Sequence, residues 1–144
     1  MDPAELNLWK ALLWGYPITV ALEAPILLTA LAPRHGWRQR WFASCWLTAC
    51  SYPIVVIVLP ILMAGSSRLA YLAVAETFAP LSECLLFYAA FPNLSGDRAI
   101  AGEAAVDGGA TGRFGSTTWR RDGLAIIAAN LVSFLSGEIW WSLH

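Results

Sequence analysis

Charge is scarce in this chain. Asp, Glu, Lys and Arg together make 13% of its 144 residues, about half the share of an ordinary soluble domain. Lysine is nearly missing, with Lys10 alone beside the arginines. A net charge of −1, with no basic cluster interleaved with aromatics, leaves no electrostatic footprint for nucleic acid, and no such partner is expected. Histidine occurs only as His35 and His144, both outside the long apolar runs. That argues against haem or chlorophyll held by an axial histidine within the chain, and no cofactor is expected. The three cysteines are odd in number and sit in apolar stretches, which excludes a disulfide framework. A Gly-rich phosphate loop, a Ser/His/Asp set and an HExxH pattern are all lacking. The start, MDPAELNLWK, has no basic n-region, so the first apolar segment is expected to be retained as a span.

What is abundant is hydrophobicity: 58% of the residues are apolar or aromatic, with a mean hydropathy of +0.57. Four segments stand out, at about 11–32, 42–64, 69–91 and 123–143. Each is about 20 residues, enough for a helix to cross roughly 30 Å of hydrocarbon. The expectation is an all-α, polytopic membrane protein, a single four-helix transmembrane domain in a lipid bilayer. Tryptophans gather at the segment ends (Trp9, Trp14, Trp37, Trp41, Trp119, Trp140, Trp141), as an interfacial belt requires. Arg34, Arg38 and Arg40 lie in the first connection and Arg98, Arg113, Arg120 and Arg121 in the third, against Lys10 and Arg68 on the other side. The positive-inside rule then places both termini outside the cytoplasm, in a plasma or bacterial inner membrane. The stretch 92–122, rich in Gly and Ala, reads as a flexible cytoplasmic loop. A flexible chain of that length reaches roughly 30 Å, so it does not force the fourth helix beside the third.

The third segment, LAYLAVAETFAPLSECLLFYAAF, carries Glu76 and Glu83 seven residues apart, with Pro80 between them. That spacing puts both carboxylates on one helical face, and acids inside a span are costly enough to mark function by default. In the first segment Tyr16 and Thr19 precede Glu23 on the same face. Rise per residue sets Glu23, Glu83, Asn130 and Cys50 roughly 16 to 21 Å deep, near the midplane. Glu76 and Glu138 are shallower. No lysine or arginine is deep enough to pair with these acids, which leaves protonation, shared hydrogen bonds, internal water or a bound cation. Glu23 and Glu83, on neighbouring first and third helices, are expected to share a proton, with Glu76 on the route. Tyr16-Pro17-Ile18 and Tyr52-Pro53-Ile54 form a weak internal echo, too short to establish an inverted repeat.

In the fourth segment Ala125, Ala129, Ser133 and Gly137 recur every four residues, a small-residue ridge of the kind that lets helices approach closely. It is the expected packing interface, within the bundle or between protomers. Cys45 and Cys50 diverge on one helix and cannot bridge. Cys50 and Cys84 are the weak candidates for a soft metal, against the plainer reading of cysteine as a small buried hydrophobe. The first functional reading is proton- or cation-coupled transport or conduction along Glu23, Glu76, Glu83, Asn130, Glu138, Tyr16 and Thr19. The alternative is an accessory subunit of a homo-oligomer or larger membrane complex, with the glutamates as inter-helix hydrogen-bonding groups. Acid–base catalysis by the glutamates on a lipid-like substrate ranks below both.

Overall fold

Residues 3–91 and 111–143 are described by a computed structural model. They form four helices: α1 (Pro3–Ala30), α2 (Trp37–Leu62), α3 (Arg68–Ala90) and α4 (Thr111–Leu143). Each contains a stretch long and apolar enough to cross a membrane: Leu12–Ala30, Trp37–Leu62, Arg68–Ala90 and Thr118–Trp140. α4 begins at Thr111, so residues 111–122, expected in the flexible loop, are helical. The rest of that loop, 92–110, lies outside the described residues. Arg120, Arg121 and Asp122 are thereby part of a helix rather than of a linker.

The helix ends follow local chemistry. α1 stops at Ala30, three residues before Pro33, where the chain is biased toward extended backbone. Gly36 caps α2, its N–H bonded to Gln39 Oε1 at 3.0 Å. At the far end of α2, Gly65 turns with φ +94°, a left-handed conformation that favours glycine. Ser67 then caps α3 by accepting the Ala70 N–H at 3.2 Å, satisfying one orphan donor of the first turn.

Midway along α2 the helix widens into a π turn, Ile54–Val58, between Pro53 and Pro60. The Leu59 N–H bonds to the Ile54 carbonyl, five residues back. In that register residue 60 would donate to the Val55 carbonyl, but proline has no N–H. The Tyr71 hydroxyl of α3 supplies the missing donor, 3.0 Å from the Val55 oxygen. One proline thus creates an unfilled acceptor, and the next helix fills it.

The helices pack in a ring: α1 against α2, α2 against α3, α3 against α4, and α4 back against α1. α1 and α3 are diagonal and do not pack on each other, which corrects the expectation that they are neighbours. Close contact of Tyr88 with Trp119 at one end and Arg68 with Glu138 at the other makes α3 and α4 antiparallel neighbours. The fourth helix therefore lies beside the third, although the connection alone does not require it. The buried core is Leu27 of α1, Leu31 just after it, Ala43 and Leu47 of α2, Phe87 of α3, and Ala125, Ile126 and Ala129 of α4. Leu13, Ile18, Leu62, Leu69, Leu81, Leu85 and Leu124 point outward and are exposed. So much outward apolar surface is suited to lipid contact and would be a liability in water.

Candidate functional site

Two polar assemblies sit inside the ring. The first is centred on the diagonal acids. Glu23 of α1 is 2% exposed and Glu83 of α3 is 1% exposed. The Thr48 hydroxyl of α2 lies 2.7 Å from Glu23 Oε2, and Ser133 of α4 adds a second hydroxyl beside that carboxyl. Ser51 of α2 lies 2.5 Å from Glu83 Oε1, and the Asn130 amide of α4 donates to Glu83 Oε2 at 2.7 Å. Each acid on one diagonal is therefore held from both helices of the other. Thr48 and Ser51 are three residues apart, as are Asn130 and Ser133, so each pair shares a helical face.

The hydroxyls carry a choice. Thr48 Oγ is also 2.8 Å from the Ser44 carbonyl, and Ser51 Oγ is 3.2 Å from that of Leu47. A hydroxyl has one proton to donate. When it bonds its own helix, the short contact to the carboxyl must be made by the acid's proton. When the acid is ionised, the hydroxyl turns to donate to the carboxylate. Both states are hydrogen-bonded with the same heavy-atom positions. Asn130 does not face this choice: its two amide protons serve Glu83 and the Ile126 carbonyl together.

These groups line a cavity of about 130 Å³ with Thr19, Tyr52, Glu76 and Phe134 among its walls and no lysine or arginine. That is room for several water molecules. Of the residues anticipated from the sequence, Glu23, Thr19, Glu76, Glu83, Asn130 and Ser133 meet here. Tyr16 does not: its hydroxyl donates to the Cys45 carbonyl at 3.0 Å, and its ring meets Tyr52 edge-on. Glu138 pairs with Arg68 at 2.9 Å near the α2–α3 turn, so one acid of the set has a cation after all. Cys84 Sγ approaches the Gly123 carbonyl at 3.9 Å. Among the described residues no three His, Cys, Asp or Glu side chains cluster as metal ligands.

The small-residue ridge divides in two. Ala125 and Ala129 are buried in the core. At Gly137 nothing among the described residues lies within 4 Å of the place a Cβ would occupy, so this position of the ridge is uncovered by them.

The second assembly, at the end bearing the α1–α2 turn, was not legible as a site. Asp122 of α4 is fully buried. Its Oδ1 accepts the Ala32 N–H at 2.7 Å, and its Oδ2 meets Arg34 at 2.6 Å and His35 Nε2 at 3.1 Å. Arg40 donates to the carbonyls of Leu28, Ala32 and His35, and Arg121 to that of Ala30 at 2.8 Å. The last carbonyls of α1 have no helical donors of their own, and these arginines supply them. His35 is edge-on to Phe87 and Phe91, and its Nδ1 has no partner among the described residues. This is a latch that fixes the end of α1 to α4.

The fold and its polar interior define a helical bundle of membrane-spanning composition with a carboxylate chamber. No protein-family model, no characterised protein and no solved structure matches the chain.

Proposed function

We propose that the chain is a proton- or cation-coupled transport protein whose exchange site is Glu23 with Glu83. The observation that carries this reading is the paired construction of the two acids. Each is buried, lacks a cationic side chain in its chamber, and touches a hydroxyl that can serve either protonation state. Ionising both in a low-dielectric interior is costly, so a proton or a bound cation must neutralise the pair. Glu76, half-buried in the same wall, extends the acids toward the α2–α3 end. In this reading the arginine-bearing end faces the cytoplasm, both termini face out, and the membrane is a plasma or bacterial inner membrane.

The test is flux in liposomes containing the full-length protein and a pH-sensitive dye. Cation gradients should drive proton movement, and Glu83→Gln should abolish it while the protein keeps its oligomeric size and unfolding temperature. A reporter that works only in the cytoplasm, fused after His144, should stay silent. The assembly reading draws on the uncovered Gly137 end of the ridge, which suits a second helix. It takes over if flux is absent across ions and pH, Glu83→Gln only lowers stability, and the protein copurifies with a membrane partner.

A further inference from the structure

The interface between α1 and α4 is closed at one end and open at the other, and the sequence shows why. Toward the latch, Leu27 of α1 and Leu31 just beyond it are buried in one cluster with Ala125 and Ala129. Toward the opposite end, small residues occur on both helices at four-residue spacing: Gly15 and Thr19 on α1, Ser133 and Gly137 on α4. Tyr52 occupies the space beside Gly15, whereas nothing among the described residues lies within 4 Å of a Cβ at Gly137, so the gap lies on the α4 side. The result is a cleft of about 450 Å³, its walls completed by Ile18, Leu22, Ser136 and Trp140. Thr19 and Ser133 line this cleft and the acid chamber alike, so the two cavities meet at those residues. Glu23 lies one turn beyond Thr19 on α1.

We infer that the chamber takes an amphiphilic organic cation, an ammonium or phosphonium group on an apolar body, which reaches it sideways from the bilayer through the α1–α4 cleft. The inference rests on the exchange reading above and names its substrate class. Charge selects a cation, because the chamber offers carboxyls and hydroxyls and no basic side chain. Shape and chemistry select an amphiphile. The chamber is small, whereas the adjoining cleft is of the size that encloses drug-like molecules and is lined mainly by apolar groups. A bare inorganic ion crossing that cleft would lose its hydration with few oxygen ligands in return. Binding would displace the neutralising proton from the acids. The other charged and titratable groups around the chamber are Glu76, the Arg68–Glu138 pair, Tyr52, Tyr71 and Cys84.

Gly137→Leu tests the route, because Gly137 lines the cleft and nothing lies within 4 Å of the Cβ position from which the added side chain grows. Gly15 is unsuitable, since a Cβ there would collide with the Tyr52 hydroxyl. Ser136→Leu is the second blocking variant. The probe is radiolabelled decyltrimethylammonium, a small cationic head on an apolar tail, and the rate and extent of its binding to the full-length protein in nanodiscs are followed by rapid filtration. Saturable binding is expected, weakened at least tenfold by Gly137→Leu, by Ser136→Leu and by Glu23→Gln. The infrared carbonyl band of protonated glutamate, which reports the exchange site itself, should persist in the two cleft variants. Equal binding by wild type and both cleft variants would overturn the lateral route. No saturable binding, with the glutamate band still responding to pH and to sodium, would overturn the amphiphile and leave exchange of a small ion. If the band responds to neither, the exchange reading fails with it. Conversion of a wild-type dimer to a monomer by Gly137→Leu, with ammonium binding unchanged, would make the cleft a helix-docking surface instead.

Discussion

Asp122 is the buried acid on which the latch converges. A backbone N–H, an arginine and a histidine all meet its two oxygens. Removing one member of such a buried set leaves the others uncompensated, at roughly 3–5 kcal/mol. Asp122→Asn should therefore lower unfolding stability in detergent by about that amount. Arg38→Ala, at an exposed position of α2, should stay within about 0.5 kcal/mol. Similar losses for the two would mean that the latch contributes nothing special. The signal for this site was in the sequence: a single aspartate directly after Arg120-Arg121, and a histidine directly after Arg34. Gly and Ala content makes residues 92–122 read as a linker, and a linker needs no internal partners. The glutamates were legible for the opposite reason. An acid inside an apolar run demands an explanation wherever the chain folds, and depth counted at the helical rise set Glu23, Glu83 and Asn130 at one level. The partners Thr48 and Ser51 were missed because hydroxyls are ordinary in apolar helices, where they bond their own carbonyls. Only the packing shows that these two also touch acids.

At the scale of an element, α2 shows how a local defect becomes a tertiary contact. Length and composition sufficed to place α2, and its two prolines gave warning of a disturbed helix. The type of disturbance and its remedy depend on α3, which the sequence of α2 does not contain. The Tyr71 hydroxyl matters because Pro60 cannot donate to Val55. Tyr71→Phe should therefore cost about 1–3 kcal/mol, the penalty for a buried acceptor left unpaired. In a Pro60→Ala background the helix can supply its own N–H, and the same substitution should then cost well under half as much. A double-mutant cycle on unfolding free energies reads the coupling directly. Additive effects would mean that the hydroxyl serves some other purpose. The small-residue ridge teaches a related lesson about α4. A repeat of four identifies a face, but whether small residues are packed or leave a gap depends on what the facing helix presents. Leu27 and Leu31 share a buried cluster with Ala125 and Ala129, whereas Gly15 and Thr19 line one open cleft with Ser133 and Gly137.

The whole molecule is decided by the closing contact of the ring. Short turns join α1 to α2 and α2 to α3, so their adjacency follows from the chain. α4 arrives after the connection 92–110, whose length alone does not dictate which bundle it completes. What assigns it is side-chain chemistry: the latch on Asp122, Tyr88 stacked on Trp119, and Arg68 with Glu138. This is also why the diagonal of α1 and α3 could not be read from depth alone, since equal depth fits both adjacent and opposite helices. If α4 closes its own bundle, Ala30→Cys and Leu124→Cys, which flank one groove between α1 and α4, should be joined efficiently by a short bismaleimide. The background needs Cys45, Cys50 and Cys84 replaced by serine or alanine. The product should run as a single chain whose unfolding midpoint rises. A control pair on the diagonal, Ala21→Cys and Leu81→Cys, both outward-facing positions, should not react with each other. If α4 instead completes a neighbouring copy, the first pair will yield a covalent dimer. Dilution into lipid before cross-linking would then shift that dimer to monomer only as fast as the bundles exchange helices. A dimeric product that persists on dilution would overturn the single-chain ring and move the latch to an interface between two copies.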